Sequence, residues 1–252
     1  MTKKYHLNCV HIETQGITAS GHCILLCEGE KMVLIDTGIG LQDILNSEER
    51  IGKKLITETG YIFNENTAAI KQIEKIGLNP DWVTDCIISH LDNDHIGGVA
   101  DFPNARVHVS KEEWQNFSNN NPRYLKTPLN HQPEILQYAE NDTNWFGLKA
   151  RKINIPRISL PILFVPLFGH TLGHCGVAFL YDNKWYFYVA DAYYLREELV
   201  NDEHPVSTLA KLRADDDSLR IKSLNDIRNL FLAHPEIEIF NYHDIEEFKR
   251  LK

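Results

Sequence analysis

The sequence predicts an α/β protein arranged as a single αββα sandwich, with β-layers inside and helices outside, and three observations lead there. Short apolar runs recur at residues 32–35, 86–88, 162–168 and 237–240, and each is bounded by turn-forming or charged residues as strands are. Between these runs lie stretches with apolar residues at helical spacing: Ile70, Ile73 and Ile76, then Leu224, Ile227 and Leu230 with Phe231. A chain of 252 residues with 43% hydrophobic content can bury one substantial core, so residues 1–252 are read as one domain.

The elements follow in order. Residues 5–11 and 22–28 read as strands, and Glu28-Gly29-Glu30-Lys31 turns into the strand 32–35 to open a β-layer with a hairpin. That strand ends at Asp36-Thr37-Gly38. Residues 41–61 suit a helix followed by a loop. A clearer helix spans 67–76, with Asn66 as its N-cap, Gly77 at its end and Pro80 beyond. A short buried strand follows Asp85, residues 106–109 alternate as the next strand, and 111–117 form a short helix. The span 119–157 is irregular and reads as an insertion. Its aromatics Tyr124, Tyr138, Trp145 and Phe146 either wall a substrate pocket or pin a long loop to the core. Residues 176–181 and 184–190, joined by Asp182-Asn183, form a second hairpin. A helix over 219–231 then covers the sheet before the last strand.

Composition narrows the function. Lys+Arg 26 against Asp+Glu 35 gives a formal charge of −9, with no basic stripe, which disfavours nucleic acid as a partner. No run reaches the roughly 18 apolar residues of a membrane span. The first residues carry two lysines but no signal-peptide pattern, so the expected location is cytoplasmic. Cys9, Cys23, Cys27, Cys86 and Cys175 are odd in number and mostly set in apolar strands, as buried reduced thiols would be.

The chemistry gathers at Ser89-His90-Leu91-Asp92-Asn93-Asp94-His95-Ile96-Gly97-Gly98, where His90, Asp92, Asp94 and His95 can all bind a cation and the glycines relieve Cβ clashes as the loop curls into a helix. Further candidate ligands are His170 in Gly169-His170-Thr171-Leu172-Gly173-His174, Asp191 in Val189-Ala190-Asp191-Ala192, and His243 before Asp244. Each follows or ends a strand-like run. His108 reads as an ordinary strand residue.

This constellation resembles the metallo-β-lactamase superfamily pattern H-x-H-x-D-H followed by a His, an Asp and a last His, and the likeness runs over nearly the whole chain. The resemblance implies two mixed β-sheets flanked by helices and a dinuclear site. His90 and His170 would serve a first metal, Asp94, His95 and His243 a second, and Asp191 would bridge them. It further implies that His174 is structural and that Asp36 supports the metal loop by orienting a ligand, against the plainer reading of a turn aspartate. Asp92 stands where the family has its second His. A carboxylate there adds a negative charge and a harder ligand, so zinc is the first choice of metal while iron or manganese is admitted. Being shorter than His, Asp92 is expected to leave the first site the weaker, and Asp92→His to tighten it.

Two divalent ions acidify a shared water and polarise a carbonyl, which points to hydrolysis. Asp191-Ala192-Tyr193-Tyr194 looks like the D-A-x-Y of N-acyl-homoserine lactonases, and Tyr242-His243-Asp244-Ile245-Glu246 is similar to their segment around the last ligand. By that resemblance the substrate is a small lactone or related ester, Tyr194 stabilises the oxyanion and Asp94 passes a proton to the leaving alkoxide; the alternative for Tyr194 is a packed aromatic. Two other functions stay open. One is a flavodiiron-like redox or gas-handling protein served by an external electron donor, since those relatives carry a carboxylate at the second motif position. The other is a metal-binding relative with reduced activity. Pairing as a homodimer is left open.

Overall fold

The computed structural model describes residues 2–14, 16–201 and 203–252. Two six-stranded sheets form its centre. The first follows chain order: β1 (Thr2–Thr14), β2 (Ile17–Glu28), β3 (Lys31–Ile35), β4 (Val83–Ile87), β5 (Arg106–Ser110) and β6 (Ile135–Tyr138). Its first three strands are antiparallel and the rest run parallel to β3. The second comprises β7 (Thr143–Trp145), β8 (Leu148–Lys152), β9 (Ile162–Pro166), β10 (Cys175–Tyr181), β11 (Lys184–Tyr188) and β12 (Glu238–Phe240), antiparallel except where β12 joins β11. Both sheets are mixed, helices cover them, and the αββα sandwich is the architecture.

The alternation of side chains along the second sheet explains the layering. Phe164, Val177, Phe179, Tyr188 and Phe240 point into the core shared with the first sheet. Their neighbours Leu163, Val165, Ala178, Phe187 and Ile239 face the other way, against Leu224, Ile227 and Leu230 of the helix Asp217–Ala233. With a period of two, a strand buried on both faces must be apolar at every position. Each of those three helix residues contributes about 2 kcal/mol by burial, an upper figure. Asp216 caps the helix, its carboxylate accepting from Leu219 N at 3.0 Å.

Several local expectations change. Residues 41–61 hold three short helices, Leu41–Leu45, Ser47–Arg50 and Lys53–Thr59, because Asn46 leaves helical φ/ψ between the first two and Gly52 takes positive φ before the third, which Gly60 ends. Asn66 does not cap the next helix. Asn64 caps a 3-10 turn, Glu65–Thr67, and the helix proper is Ala69–Lys75. The hairpin turn Asp182-Asn183 takes φ of 51° and 57°, the left-handed pair that a two-residue hairpin favours. All five cysteines are free and buried. Among the described residues no helix is long and apolar enough to cross a membrane.

The 119–157 span is woven into both sheets through β6, β7 and β8. Tyr124 and Trp145 are buried, Tyr138 stacks on His108, and Phe146 is exposed, so most of these aromatics anchor the segment to the core. His108 is itself buried, held by Asp85 at 2.8 Å and by the Tyr138 hydroxyl at 2.8 Å.

Candidate metal centre

Strand direction assembles the site. β9, β11 and β12 all run the same way, and their C-terminal ends deliver His170, Asp191 and His243 to one edge of the sandwich. Across from them, β4 ends at Ile87 and the loop from Ser89 carries His90, Asp92, Asp94 and His95 into the short helix Asn93–Ile96. Gly97 and Gly98 sit at the end of that helix, and Gly97 has ordinary helical φ. Glycine is needed there for closeness: a Cβ on Gly98 would lie 2.4 Å from Thr37 O, and one on Gly97 2.6 Å from Asp43 Oδ2.

Two ligand groups result. His90, His170 and Asp191 form one, and Asp94, His95 and His243 the other, each with ligand atoms within 4.8 Å of one another. Asp191 lies between them. Its Oδ1 is 3.3 Å from His95 Nε2, and its Oδ2 is 3.4 Å from both His170 Nε2 and His243 Nε2. Although burial opposes ionisation, the neighbouring His243, His95 and His170 hold the Asp191 carboxyl well below the usual range. Burial likewise opposes charge on His95, but Asp191, Asp36 and Asp94 outweigh it and raise its pKa. Asp191 and Asp94 therefore face the centre, and Asp36 backs His95 from its far side.

Hydrogen bonds fix which imidazole nitrogen faces the centre. Asp36, in a left-handed conformation at φ 48°, accepts from Ser89 N at 2.8 Å, Ser89 Oγ at 2.7 Å, His95 Nδ1 at 2.8 Å and the Tyr188 hydroxyl at 2.5 Å. With the Ser89 hydroxyl proton so committed, Ser89 Oγ accepts from His90 Nδ1 at 3.0 Å. His243 Nδ1 donates to Ser20 O at 3.1 Å. In each case Nε2 is left with its lone pair inward. The buried Nε2 atoms of His90 and His95 and the Oδ1 of Asp191 have no hydrogen-bond partner, which is costly in an apolar interior and is what a ligand set for divalent cations presents. The residues fit such ions.

His174 has neither nitrogen to spare. Its Nδ1 donates to Leu167 O at 3.0 Å while its Nε2 accepts from Asp191 N at 3.1 Å, so it positions the backbone of Asp191. Tyr194 is buried, with its ring between His170 and His243, at 6.1 and 5.5 Å between centroids, and its hydroxyl 3.5 Å from His170 Nδ1. Burial raises its pKa well above that of a free phenol and keeps it a donor.

Three supporting residues escaped the sequence reading. Glu113, fully buried, accepts from Leu91 N at 2.8 Å, the Thr171 hydroxyl at 2.6 Å, Gly173 N at 3.2 Å and the Tyr124 hydroxyl at 2.9 Å. It ties the two ligand loops together. The Tyr242 ring packs against His95, tilted by 34° with centroids 3.9 Å apart, and its hydroxyl donates to Asp94 O. Arg123 forks onto Asp92, with Nε 2.6 Å from Oδ1 and Nη2 2.5 Å from Oδ2. Asp92 Oδ2 also lies 3.5 Å from His90 Nε2 and 3.2 Å from His170 Nε2. The lone available signal for Arg123 was a carboxylate in a histidine's place, which calls for a counter-charge without saying from where.

Gly173 shows how tightly the loops meet, since a Cβ there would fall 1.9 Å from Glu113 N. Gly173→Ala is expected to destabilise the fold by about 3 kcal/mol through this overpacking. Urea unfolding measures it, and a loss under about 0.5 kcal/mol would mean the loop moves aside freely.

Over residues 17–243 the sequence matches the family described as the metallo-beta-lactamase superfamily. A protein described as a probable metallo-hydrolase of Mycobacterium tuberculosis is 33% identical over 202 residues, which is 78% of this chain and 64% of that protein. The chain thus matches less than two thirds of that relative's length. An N-acyl homoserine lactonase of Bacillus cereus is 24% identical over 233 residues, 91% of this chain and 83% of the lactonase. Among solved structures, an N-acyl homoserine lactone hydrolase with its product N-hexanoyl-L-homoserine bound at the catalytic metal centre aligns with TM-score 0.73 at 21% identity, covering 100% of this chain and 96% of that one. This last likeness is one of fold.

Proposed function

This chain belongs to the metallo-β-lactamase superfamily, and from that premise we propose that it is a metal-dependent hydrolase of a small lactone or related carboxylic ester. The observation that carries the reading is Asp191 set between His95, His170 and His243, beside buried imidazole nitrogens left without partners. His90, His170 and Asp191 would hold one divalent ion, and Asp94, His95 and His243 with Asp191 the other, zinc being the first choice for imidazole and carboxylate ligands. When bound, the ions supply Lewis acidity toward a carbonyl and make water a competent nucleophile at neutral pH.

The chain's own residues do the rest. Tyr194, neutral and buried, donates its hydroxyl hydrogen to the carbonyl oxygen as charge develops there. Asp94, half-buried at the rim, would take the proton that the attacking water gives up and pass it to the departing alkoxide. Asp36, Ser89 and His174 hold the ligands still, and Tyr242 packs His95 against the loop. The likeness to lactonases supports the substrate class, and the acidic chain, at formal charge −9, suits a small uncharged substrate better than a polyanion.

The test is turnover of an N-acyl homoserine lactone, an aryl ester and a phosphotriester by protein of known metal content. Hydrolysis of the carboxylic substrates, abolished by a chelator and restored by zinc, is expected. A fully metallated protein that cleaves neither carboxylic substrate overturns the proposal. Tyr194→Phe should lower kcat by roughly ten- to a thousandfold with metal content unchanged; equal kcat would leave Tyr194 as packing alone.

A further inference from the structure

Arg123 reaches the metal centre from the segment that follows the helix Lys111–Ser118, and its backbone is held by Asn121, whose Oδ1 accepts from Arg123 N at 3.0 Å. Every nitrogen of its guanidinium is engaged. Nε and Nη2 fork onto the two oxygens of Asp92, while Nη1 donates to Arg213 O at 2.5 Å and lies 3.2 Å from Asp215 Oδ1. Such a fork matches carboxylate geometry and leaves no donor over for a substrate anion. Nη2 also stands 2.8 Å from His170 Nε2, the nitrogen that faces Asp191. The same lone pair cannot serve Arg123 and a cation together.

The two ligand groups are therefore unequal in charge. Beside His90 and His170, the carboxylate of Asp92 is cancelled by a fixed guanidinium whose positive end points at a ligand atom. Beside His95 and His243, Asp94 has no Lys or Arg within ion-pairing distance among the described residues; His243 Nε2 at 3.7 Å is its ionic neighbour. Asp191 is common to both groups and does not distinguish them.

We propose that Arg123 is an internal counter-ion that withdraws Asp92 from the metal ligand set, so that the His90, His170 and Asp191 group binds a divalent ion much more weakly than the Asp94, His95 and His243 group. Arg123 is thus a positioning residue that acts through Asp92 and His170. The proposal rests on the reading that both groups hold metal. It reverses one expectation drawn from the sequence: Asp92→His, made alone, strands an unpaired guanidinium beside the weaker group and should loosen it further. It also removes the parallel with flavodiiron relatives, since the carboxylate at this position belongs to an arginine.

Zinc titration of the full chain against a chromophoric chelator tests this, with metal-stripped wild type and variants compared at one pH. Wild type should bind in two steps whose affinities differ by tenfold or more. Arg123→Leu, which frees Asp92 and removes the opposing charge, should tighten the weaker step on the order of tenfold, the effect of a unit charge a few ångströms from a divalent ion in a hydrated site. Arg123→Gln is the second variant should leucine not fold, and it should shift the same step in the same direction. Arg123→Lys keeps the charge without the fork and should preserve most of the wild-type gap, which a purely structural role for the fork would not. Asp92→His should weaken the step, and Asp92→His combined with Arg123→Leu should make it tighter than in wild type. Two equal tight steps in wild type overturn the proposal while leaving the metal centre standing, as does a weaker step that loosens in Arg123→Leu or Arg123→Gln. A wild-type chain that takes up no zinc overturns both.

Discussion

Asp191→Ala is expected to strip the centre of metal and to lower kcat/KM by roughly a thousandfold or more. Among the described residues its carboxylate is the only one that lies within 3.4 Å of three histidines drawn from both ligand groups, at 3.3 Å from His95 and 3.4 Å from His170 and His243. Losing it removes a ligand from each group at once and takes away the anion that sustains positive charge between them. A Lewis acid contributes several kcal/mol to the transition state, and each 1.4 kcal/mol is about tenfold in rate. The variant should fold, because the backbone N–H of Asp191 still donates to His174 Nε2 at 3.1 Å. Metal content by elemental analysis and turnover on the best ester decide the matter together. Wild-type metal with wild-type rate would show that Asp191 is no ligand.

Glu113→Leu is expected to cost about 3 kcal/mol of stability. The carboxylate is fully buried and receives hydrogen bonds from Leu91, Thr171, Gly173 and Tyr124, so leucine leaves four donors without acceptors and without water. In a chain of this size the midpoint should fall by roughly 6–12 °C. Because Leu91 follows His90 and Thr171 follows His170, zinc affinity should drop as well, by about ten- to a hundredfold. The effect should depend on pH. Burial pushes the Glu113 carboxyl up from 4.5 to about 7 against the pull of its hydrogen bonds from Thr171, Leu91 and Tyr124. Between those values the folded chain holds a proton that the unfolded chain has released, so the stability Glu113 contributes is complete below 4.5 and is lost as pH rises through about 7. The gap between wild type and Glu113→Leu is thus expected to be wider at pH 5 than at pH 8. Denaturant unfolding at the two pH values checks it, and a gap that widens with pH would refute the assignment.

Much of this architecture is written locally. The continuous apolar run of residues 162–168, the spacing of Leu224, Ile227 and Leu230, and the Asp182-Asn183 turn each specify their element through neighbours in the chain, and the structure forms them within a residue or two. Where local signals compete, the pattern misleads: Asn66 has the residue type and position of a cap, yet Asn64 two residues earlier caps a 3-10 turn. The candidate ligands were legible for a similar reason. Histidines and aspartates placed at the ends of apolar strands have one shared edge to reach, and the structure brings His90, His170 and Asp191, and Asp94, His95 and His243, to it.

What the sequence by itself determined was therefore the kind of protein: a layered α/β sandwich with metal-binding residue types, in order, at its strand ends. The tertiary structure alone decided the partners of the charges. Arg123 lies 31 residues from Asp92, Glu113 58 from Thr171, and Tyr188 152 from Asp36, and nothing at either end of those pairs names the other. The physical reason is the range of the two kinds of force. Burial acts on each residue according to its place in a local period, which the sequence displays directly. A hydrogen bond, whether buried or within an ion pair, forms only at about 3 Å and depends on direction, so its partner is fixed only once the packed layers have set the distance.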